Sequence, residues 1–419
     1  MYGMASREGR ACPKLSRVTM ISALDETLAG DGTADASAPR RIALVCDWCL
    51  PRFGGLELQL IDLAQALRAA GHAVEIITAT PGPSSIDGIP VRRLRGFRLP
   101  FFEFTFSLRQ FHELRQALRD GAFDVVHVHC GIIAPLAYGG VRLAARSGIP
   151  TALTFHSVYD YLERALHALV QLAGASRFPV AWSAVSRHVA RETSRILNGA
   201  DVNILPNGID TSAWATEPHV RRANELRLVA VMRLQVRKRP RDLFAILDEA
   251  QRRVGPGMRI TLDIIGDGRE RFFVDRLAAA AGPDRVQVHG RRSREEIRAA
   301  FAEADVFLLP TRMESFGIAA LEAQLAGLPV IARRNTGVED FVVHGENGLL
   351  GDSLEDLTDA VVELAQNEPL RAGIAARNRA VRPPFGWSDV VAATLAEYDR
   401  AERLQNLAVR GNTARMAHP

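Results

Sequence analysis

The chain has 419 residues, 47% apolar and 24% charged, with a formal net charge of +4. That length suggests two or three domains, and the composition is that of an ordinary globular protein, which excludes collagen-like, mucin-like and wholly disordered chains. The charge is too small to argue for nucleic acid, and no apolar run approaches the roughly 18 residues of a membrane span. A secretory leader is not expected, because no compact apolar run follows the first basic residues. Four cysteines are too few for a disulfide scaffold, which fits a reducing cytoplasm.

Residues 1–39 lack apolar periodicity and read as a flexible tail, with Gly30, Asp31, Gly32, Thr33, Asp35 and Ser37 near its end. Arg41–Cys46 predicts a strand and Gly54-Gly55 a loop. A helix follows with Leu56, Leu60, Leu63, Ala64 and Leu67 on one face, closed by Gly71 and leading into a strand at Val74–Thr78. That is a βαβ unit. Further strands are predicted at Asp124–Val128, Thr151–Phe155 and Ala181–Val185. A second series has strands at Leu228–Val231, Arg259–Ile265, Val286–His289, Val306–Leu309 and Pro329–Ala332, with helices such as Arg241–Arg253 and Arg294–Ala302 between them. Two such series predict an α/β fold of two Rossmann-like domains, 40–212 and 225–383. Each would bind ligands at the carboxyl ends of its strands, so the two would face each other across a cleft.

The strongest chemical signal is Glu314-Ser315-Phe316-Gly317-Ile318-Ala319-Ala320-Leu321-Glu322, between the strand Val306–Leu309 and a helix ending near Gly327. Backbone N–H groups at a helix start favour anions, a diphosphate among them. Glu322 would lie roughly 12 Å from Glu314 if the segment were wholly helical, the scale of a nucleotide diphosphate-sugar. On spacing alone, a helix-terminal charge and a solvated face residue explain the two glutamates equally well.

The second signal is Arg233-Leu234-Gln235-Val236-Arg237-Lys238, directly after the strand Leu228–Val231. Of the chain's 52 basic residues, only Lys14 and Lys238 are lysine. Lys14 falls in the expected tail. A point charge standing where almost every other basic residue is an arginine fork suggests a tight site, and Arg with Lys can hold a diphosphate as it leaves. A solvated basic loop is the alternative, since Arg237, Arg239 and Arg241 are also here.

Together these residues resemble the family 4 glycosyltransferases, retaining enzymes of the GT-B fold. The resemblance runs through Gly54-Gly55, the segment around His156, and Leu205-Pro206-Asn207-Gly208-Ile209-Asp210. It continues through Arg233, Lys238, Gly266-Asp267-Gly268 and Glu314 to Glu322, and ends at Gly345-Glu346-Asn347-Gly348-Leu349-Leu350. It implies that Glu314 contacts the donor sugar, that Glu322 contacts the ribose, and that Arg233 and Lys238 hold the diphosphate. Gly54, Gly55, Gly266, Phe316, Gly317 and Ile318 complete the implied donor site, and His156 is implied on the acceptor side close to the donor sugar. Two departures stand out: Met232 replaces a frequent glycine, and Thr336-Gly337-Val338-Glu339-Asp340 replaces the usual Gly-Gly-x-Pro-Glu. A helix at 384–405 is expected to return to the first domain, with 406–419 as a second flexible tail.

Other pieces read more quietly. His127, His129 and Cys130 cluster at a strand end, but no second ligand cluster accompanies them to complete a metal site. Cys46-Asp47-Trp48-Cys49 lacks a thioredoxin context and reads as buried strand-end cysteines. Gly266-Asp267-Gly268 has Arg271 where the dinucleotide fingerprint needs glycine. No Asp-x-Asp pair occurs, so neither a metal nor another cofactor is expected. The run from Val91 to Phe102 mixes Arg92, Arg93, Arg95 and Arg98 with Phe97, Phe101 and Phe102. It is either an ordinary β-edge with solvated arginines or a segment resting on an anionic membrane surface. The expected protein is a cytoplasmic glycosyltransferase, with the inner face of the cell membrane as its candidate surface. It would move a mannose, glucose or N-acetylglucosamine type of sugar from a UDP- or GDP-sugar to a hydroxyl acceptor, with a lipid or a cell-envelope glycan as the candidate. A nucleotide-sugar epimerase of the same fold and a non-catalytic nucleotide-sugar-binding protein are the alternatives.

Overall fold

The computed structural model describes residues 38–52, 54–98, 105–131, 134–159, 177–217 and 224–416. Most of the tail read at 1–39, together with Phe101 and Phe102, lies outside them. The first sheet contains β1 (Arg41–Cys46), β2 (Ala73–Thr78), β3 (Ser85–Ile86) and β4 (Ile89–Arg93). A separate small ribbon pairs β5 (Phe97–Arg98) with β6 (Thr105–Phe106). The first sheet is completed by β7 (Val125–Cys130), β8 (Thr151–Phe155), β9 (Val180–Ala184) and β10 (Val202–Ile204), in the order β10-β9-β8-β7-β1-β2-β4-β3. The second sheet holds β11 (Glu225–Val231), β12 (Arg259–Ile265), β13 (Val286–Gly290), β14 (Val306–Leu309), β15 (Val330–Arg333) and β16 (Gly348–Gly351), in the order β13-β12-β11-β14-β15-β16. Every pairing in the two sheets is parallel except β3 with β4.

Parallel strands need crossovers, and helices supply them. They are α1 (Gly55–Ala69), α2 (Leu108–Asp120), α3 (Pro135–Arg146) and α4 (Arg187–Ile196) around the first sheet. Around the second are α5 (Asp242–Val254), α6 (Arg271–Ala281), α7 (Arg294–Glu303), α8 (Ile318–Leu325), α9 (Leu354–Gln366) and α10 (Glu368–Ala380). Helices on both faces explain why Ile42–Cys46 is an unbroken apolar run with no exposed residue.

Strand order reverses on either side of β1, which pairs with β2 and β7, and of β11, which pairs with β12 and β14. In open α/β sheets such switch points open a crevice beyond the carboxyl ends. The segments in those positions are Asp47–Gly55 in the first sheet, and Met232–Lys238 with Thr311–Gly317 in the second.

The last helix, α11 (Trp387–Met416), packs on the first sheet. Tyr398 is fully buried there, and Arg40 pairs with Asp399 at 2.5 Å. The helix also runs through most of the stretch read as a tail from 406. Leu407 and Val409 are more than half exposed, so burial gives no signal, but extending a formed helix costs little. Among the described residues no helix is long and apolar enough to cross a membrane.

Candidate functional site

The second sheet builds one wall. Lys238 closes a single helical turn, Val236–Lys238, and Arg239 beyond it takes a left-handed φ of 55°. Lys238 Nζ meets Glu314 Oε2 at 2.6 Å, and both side chains are 15% exposed. Glu314 stays outside α8, because Gly317 turns the chain with φ 93° and starts the helix without a side-chain cap. Its carbonyl accepts the Gly337 N–H at 2.8 Å. Ala320 N–H donates to the Gly317 carbonyl at 2.9 Å, and the N–H groups of Ile318 and Ala319 ahead of it are the kind of helix-start donors that an anion satisfies. The ring of Phe316 is buried between Phe341 and Phe385, with centroids 5.6 and 5.5 Å away. What Phe316 can offer a ligand is its backbone.

Gly266-Asp267-Gly268 runs beside Met232-Arg233-Leu234. Met232 N donates to Ile265 O and Leu234 N to Asp267 O, each at 3.0 Å. A Cβ on Gly266 would overlap the Met232 carbonyl, and one on Gly268 the Leu234 carbonyl. These glycines therefore let two strand ends close together and fix the Arg233 loop. Gly337 likewise leaves no room for a Cβ, which would strike the Ser315 carbonyl.

The first sheet supplies the facing wall. The side chains of Arg233 and Glu57 both crowd the open face of Gly54, where a Cβ would strike them. Glu57 is buried and paired with Arg52, whose guanidinium lies 4.8 Å over the Trp48 ring. A Cβ on Gly55 would stand 3.5 Å from Ile318 Cδ1. Gly54 and Gly55 thus bring the first domain against Arg233 and the start of α8.

Glu322 has a different setting from Glu314. Burial pushes its carboxyl up to about 8, nearby Arg294 pulls it down, and Asp62 raises it again. Asp62 comes from α1, and its Oδ2 meets Arg294 Nη2 at 2.5 Å, so this carboxylate group also spans the two domains. A second bridge uses the departing segment at 336–340. Asp340 accepts Arg187 N and Nε, each at 2.9 Å, and Arg187 Nη2 reaches the Glu339 carbonyl at 2.9 Å. The aspartate therefore takes up the first backbone N–H of α4. Sequence reasoning missed Glu57, Asp62, Arg294 and Asp340. Their partners lie far along the chain, and a lone charge on a helix looks like a solvated one.

In the first domain, His156 follows β8 and its Nε2 lies 3.0 Å from His129 Nδ1. His127 Nδ1 meets Tyr398 Oη at 3.0 Å and its Nε2 meets Thr154 Oγ1 at 2.8 Å. Burial pushes His127 and His156 each down to about 3 and holds His129 well below its usual value, so all three are neutral at physiological pH. Asp47 caps α3, accepting Leu136 N and Ala137 N at 2.9 Å each, while burial raises its carboxyl to about 7. Cys46, Cys49 and Cys130 are free and buried, and burial pushes the Cys130 thiol up to about 12. Among the described residues, no three His, Cys, Asp or Glu side chains are placed to hold a metal ion.

The basic segment is partly tied into the fold. Strand β4 lies between β2 and β3 rather than at the edge. Arg92 pairs with Glu75 at 2.6 Å, and Arg93 donates to the carbonyls of Pro83 and Thr80 at 2.9 Å each. Arg95 is 76% exposed and lies 3.6 Å from Glu113.

Residues 216–381 match the family described as "Glycosyl transferases group 1", and residues 53–213 match "Glycosyltransferase Family 4". The chain is 28% identical over 389 residues to the D-inositol 3-phosphate glycosyltransferase of Pseudarthrobacter chlorophenolicus, covering 83% of this chain and 90% of that one. It is 29% identical over 385 residues to the phosphatidyl-myo-inositol mannosyltransferase of Mycobacterium leprae, covering 86% and 96%. In fold it is similar to Anabaena HepE, solved with UDP and glucose, at a TM-score of 0.66 and 20% identity, covering 85% of this chain and 99% of that one.

Proposed function

Because this chain belongs to the family 4 glycosyltransferases and has the GT-B fold, we propose that it transfers a hexose from a UDP- or GDP-sugar to a hydroxyl acceptor with retention of configuration. The observation that carries this reading is the Lys238–Glu314 pair at the uncapped start of α8, beyond the strands of a switch point. A diphosphate at that helix start would take Lys238 and Arg233 as counter-ions. As the sugar–oxygen bond breaks, negative charge grows on the leaving phosphate, where fixed cations stabilise it most. Glu314, at the same mouth, would hydrogen-bond the sugar as positive charge develops on its ring. The acceptor hydroxyl attacks from the face the diphosphate leaves, and its proton passes to the leaving phosphate oxygen. His156 stands on the acceptor side of that exchange. The two cations and the helix start supply the charge that a metal ion would otherwise supply, so the reaction runs without one.

The test is a panel of UDP- and GDP-sugars, read first by donor-dependent thermal stabilisation and then by release of free UDP or GDP. The acceptor arm starts from the chemistry named in the relatives, an inositol phosphate and a phosphatidylinositol. Nucleotide release that needs an acceptor and survives EDTA supports the proposal. Release of nucleotide and free sugar without an acceptor would make the protein an epimerase-like enzyme. Stabilisation with no release under any condition would make it a binding protein.

A further inference from the structure

His156 is one of three imidazoles in a row. His127 and His129 alternate with Val128 along β7, with ring centroids 4.1 Å apart, and the His129 and His156 rings are 5.2 Å apart. Both nitrogens of His127 are occupied by the hydroxyls of Tyr398 and Thr154. Thr154 passes the chain on to Ser183 at 2.7 Å. His129 differs. It is 4% exposed, its Nδ1 faces His156 Nε2, and its Nε2 is buried with no hydrogen-bond partner among the described residues.

Between two neutral imidazoles, one nitrogen must donate and the other accept. If His156 Nε2 carries the proton, His129 accepts at Nδ1 and must place its own proton on Nε2. That arrangement buries an N–H donor with nothing to receive it. If His129 Nδ1 carries the proton, it donates to the bare His156 Nε2. The atom left over is then a lone pair on His129 Nε2, and His156 must carry its proton on Nδ1. Buried orphan donors are rarer and costlier than under-used acceptors.

We propose that His129 is a positioning residue that fixes His156 as the tautomer protonated on Nδ1, so that His156 meets a substrate as a hydrogen-bond donor and not as a base. This deepens the transferase reading and rests on it. A proton on Nδ1 suits an oxygen acceptor such as a sugar hydroxyl. It also agrees with a reaction in which the leaving phosphate, and no side chain, takes the acceptor's proton. The neutral state of all three rings keeps a single proton on each, which is what makes the tautomer a meaningful choice.

The test is long-range proton–nitrogen NMR on the full chain with labelled histidine, which separates protonated from bare ring nitrogens. His156 should show Nδ1 protonated and Nε2 bare. In His129→Leu, which cannot donate, the His156 signals should move toward a mixture of tautomers. Turnover should then fall at least tenfold while the donor KM stays within about threefold. His129→Asn, whose amide can donate from a similar place, should recover most of that loss. A native His156 protonated on Nε2 overturns the proposal, as does wild-type turnover in His129→Leu. The NMR result on the native protein stands whether or not a variant folds. A chain that binds no nucleotide-sugar would instead sink the transferase reading and leave the tautomer assignment to the spectra.

Discussion

Lys238 and Glu314 are 76 residues apart in sequence and in contact in space. Each is the other's counter-ion in the donor-free protein. Glu314→Gln is expected to leave the fold intact and to reduce transfer by well over tenfold, because it removes together the carboxylate proposed to meet the sugar and the partner of a largely buried ammonium. Activity within about threefold of wild type, roughly 0.7 kcal/mol, would remove Glu314 from the reaction. Lys238→Arg should also lose at least tenfold, since a broad planar guanidinium cannot take the place of a compact ammonium whose side chain is only 15% exposed and is proposed to meet a crowded diphosphate. Because the two residues share one interaction, the double variant should lose less than the product of the single losses. Additive losses in that cycle would mean that the pair seen here does not act as a unit. Both residues were legible in the sequence, one through a motif and the other through the scarcity of lysine. His129 was visible only as part of a cluster. Nothing in the spacing of His127, His129 and His156 tells which of them share a hydrogen bond.

At the scale of elements, strand ends carried most of the legible chemistry, because apolar runs stop where ligand loops begin. The elements that were missed had no such runs. Strand β4, read only as an edge, contains Pro90 and takes an interior place, and β16 begins and ends in glycine. Gly348 is needed there because a Cβ would strike the Val330 carbonyl, so packing of the neighbouring strand overrides strand propensity. Helix α8 was expected, but the setting of Glu322 on it was not, since Asp62 and Arg294 come from α1 and α7. That setting makes a pH prediction. The raised carboxyl stays protonated in the folded protein up to about pH 8, whereas in the unfolded chain it ionises near the usual value of about 4.3. Between those values the native state binds more protons, so stability attributable to Glu322 falls as pH rises and levels off above about 8. Glu322→Gln removes that loss. Its melting temperature should exceed wild type at pH 8 by about 2 °C or more, the gap should shrink toward pH 5, and the donor-induced thermal shift should weaken. A gap that is constant with pH would show that Glu322 ionises normally.

At the scale of the whole molecule, the groups assigned to the reaction come from both domains: His156 from the first, and Arg233, Lys238 and Glu314 from the second. Their relative placement therefore depends on what holds the domains together, and a misplacement of about 1 Å can cost on the order of a hundredfold in rate. The Arg187–Asp340 bridge is the best-formed of these ties, with two bonds to the carboxylate and a third to the Glu339 carbonyl. Asp340 is 11% exposed and Arg187 36%, so the pair is shielded more than a surface ion pair and should contribute more than one. It stands at one of the two places where the sequence departs from the family pattern. Asp340→Ala should leave each domain folded, loosen the contact and lower kcat/KM by about tenfold. Arg187→Ala should do the same, and the double variant should fall no further than about threefold below the worse single one. Small-angle scattering of the donor-free protein should show a larger radius of gyration in all three, narrowing again when a bound nucleotide-sugar draws the two walls together. An unchanged radius with wild-type kcat/KM in Asp340→Ala would show that other contacts, such as Asp62 with Arg294, set the domain arrangement on their own.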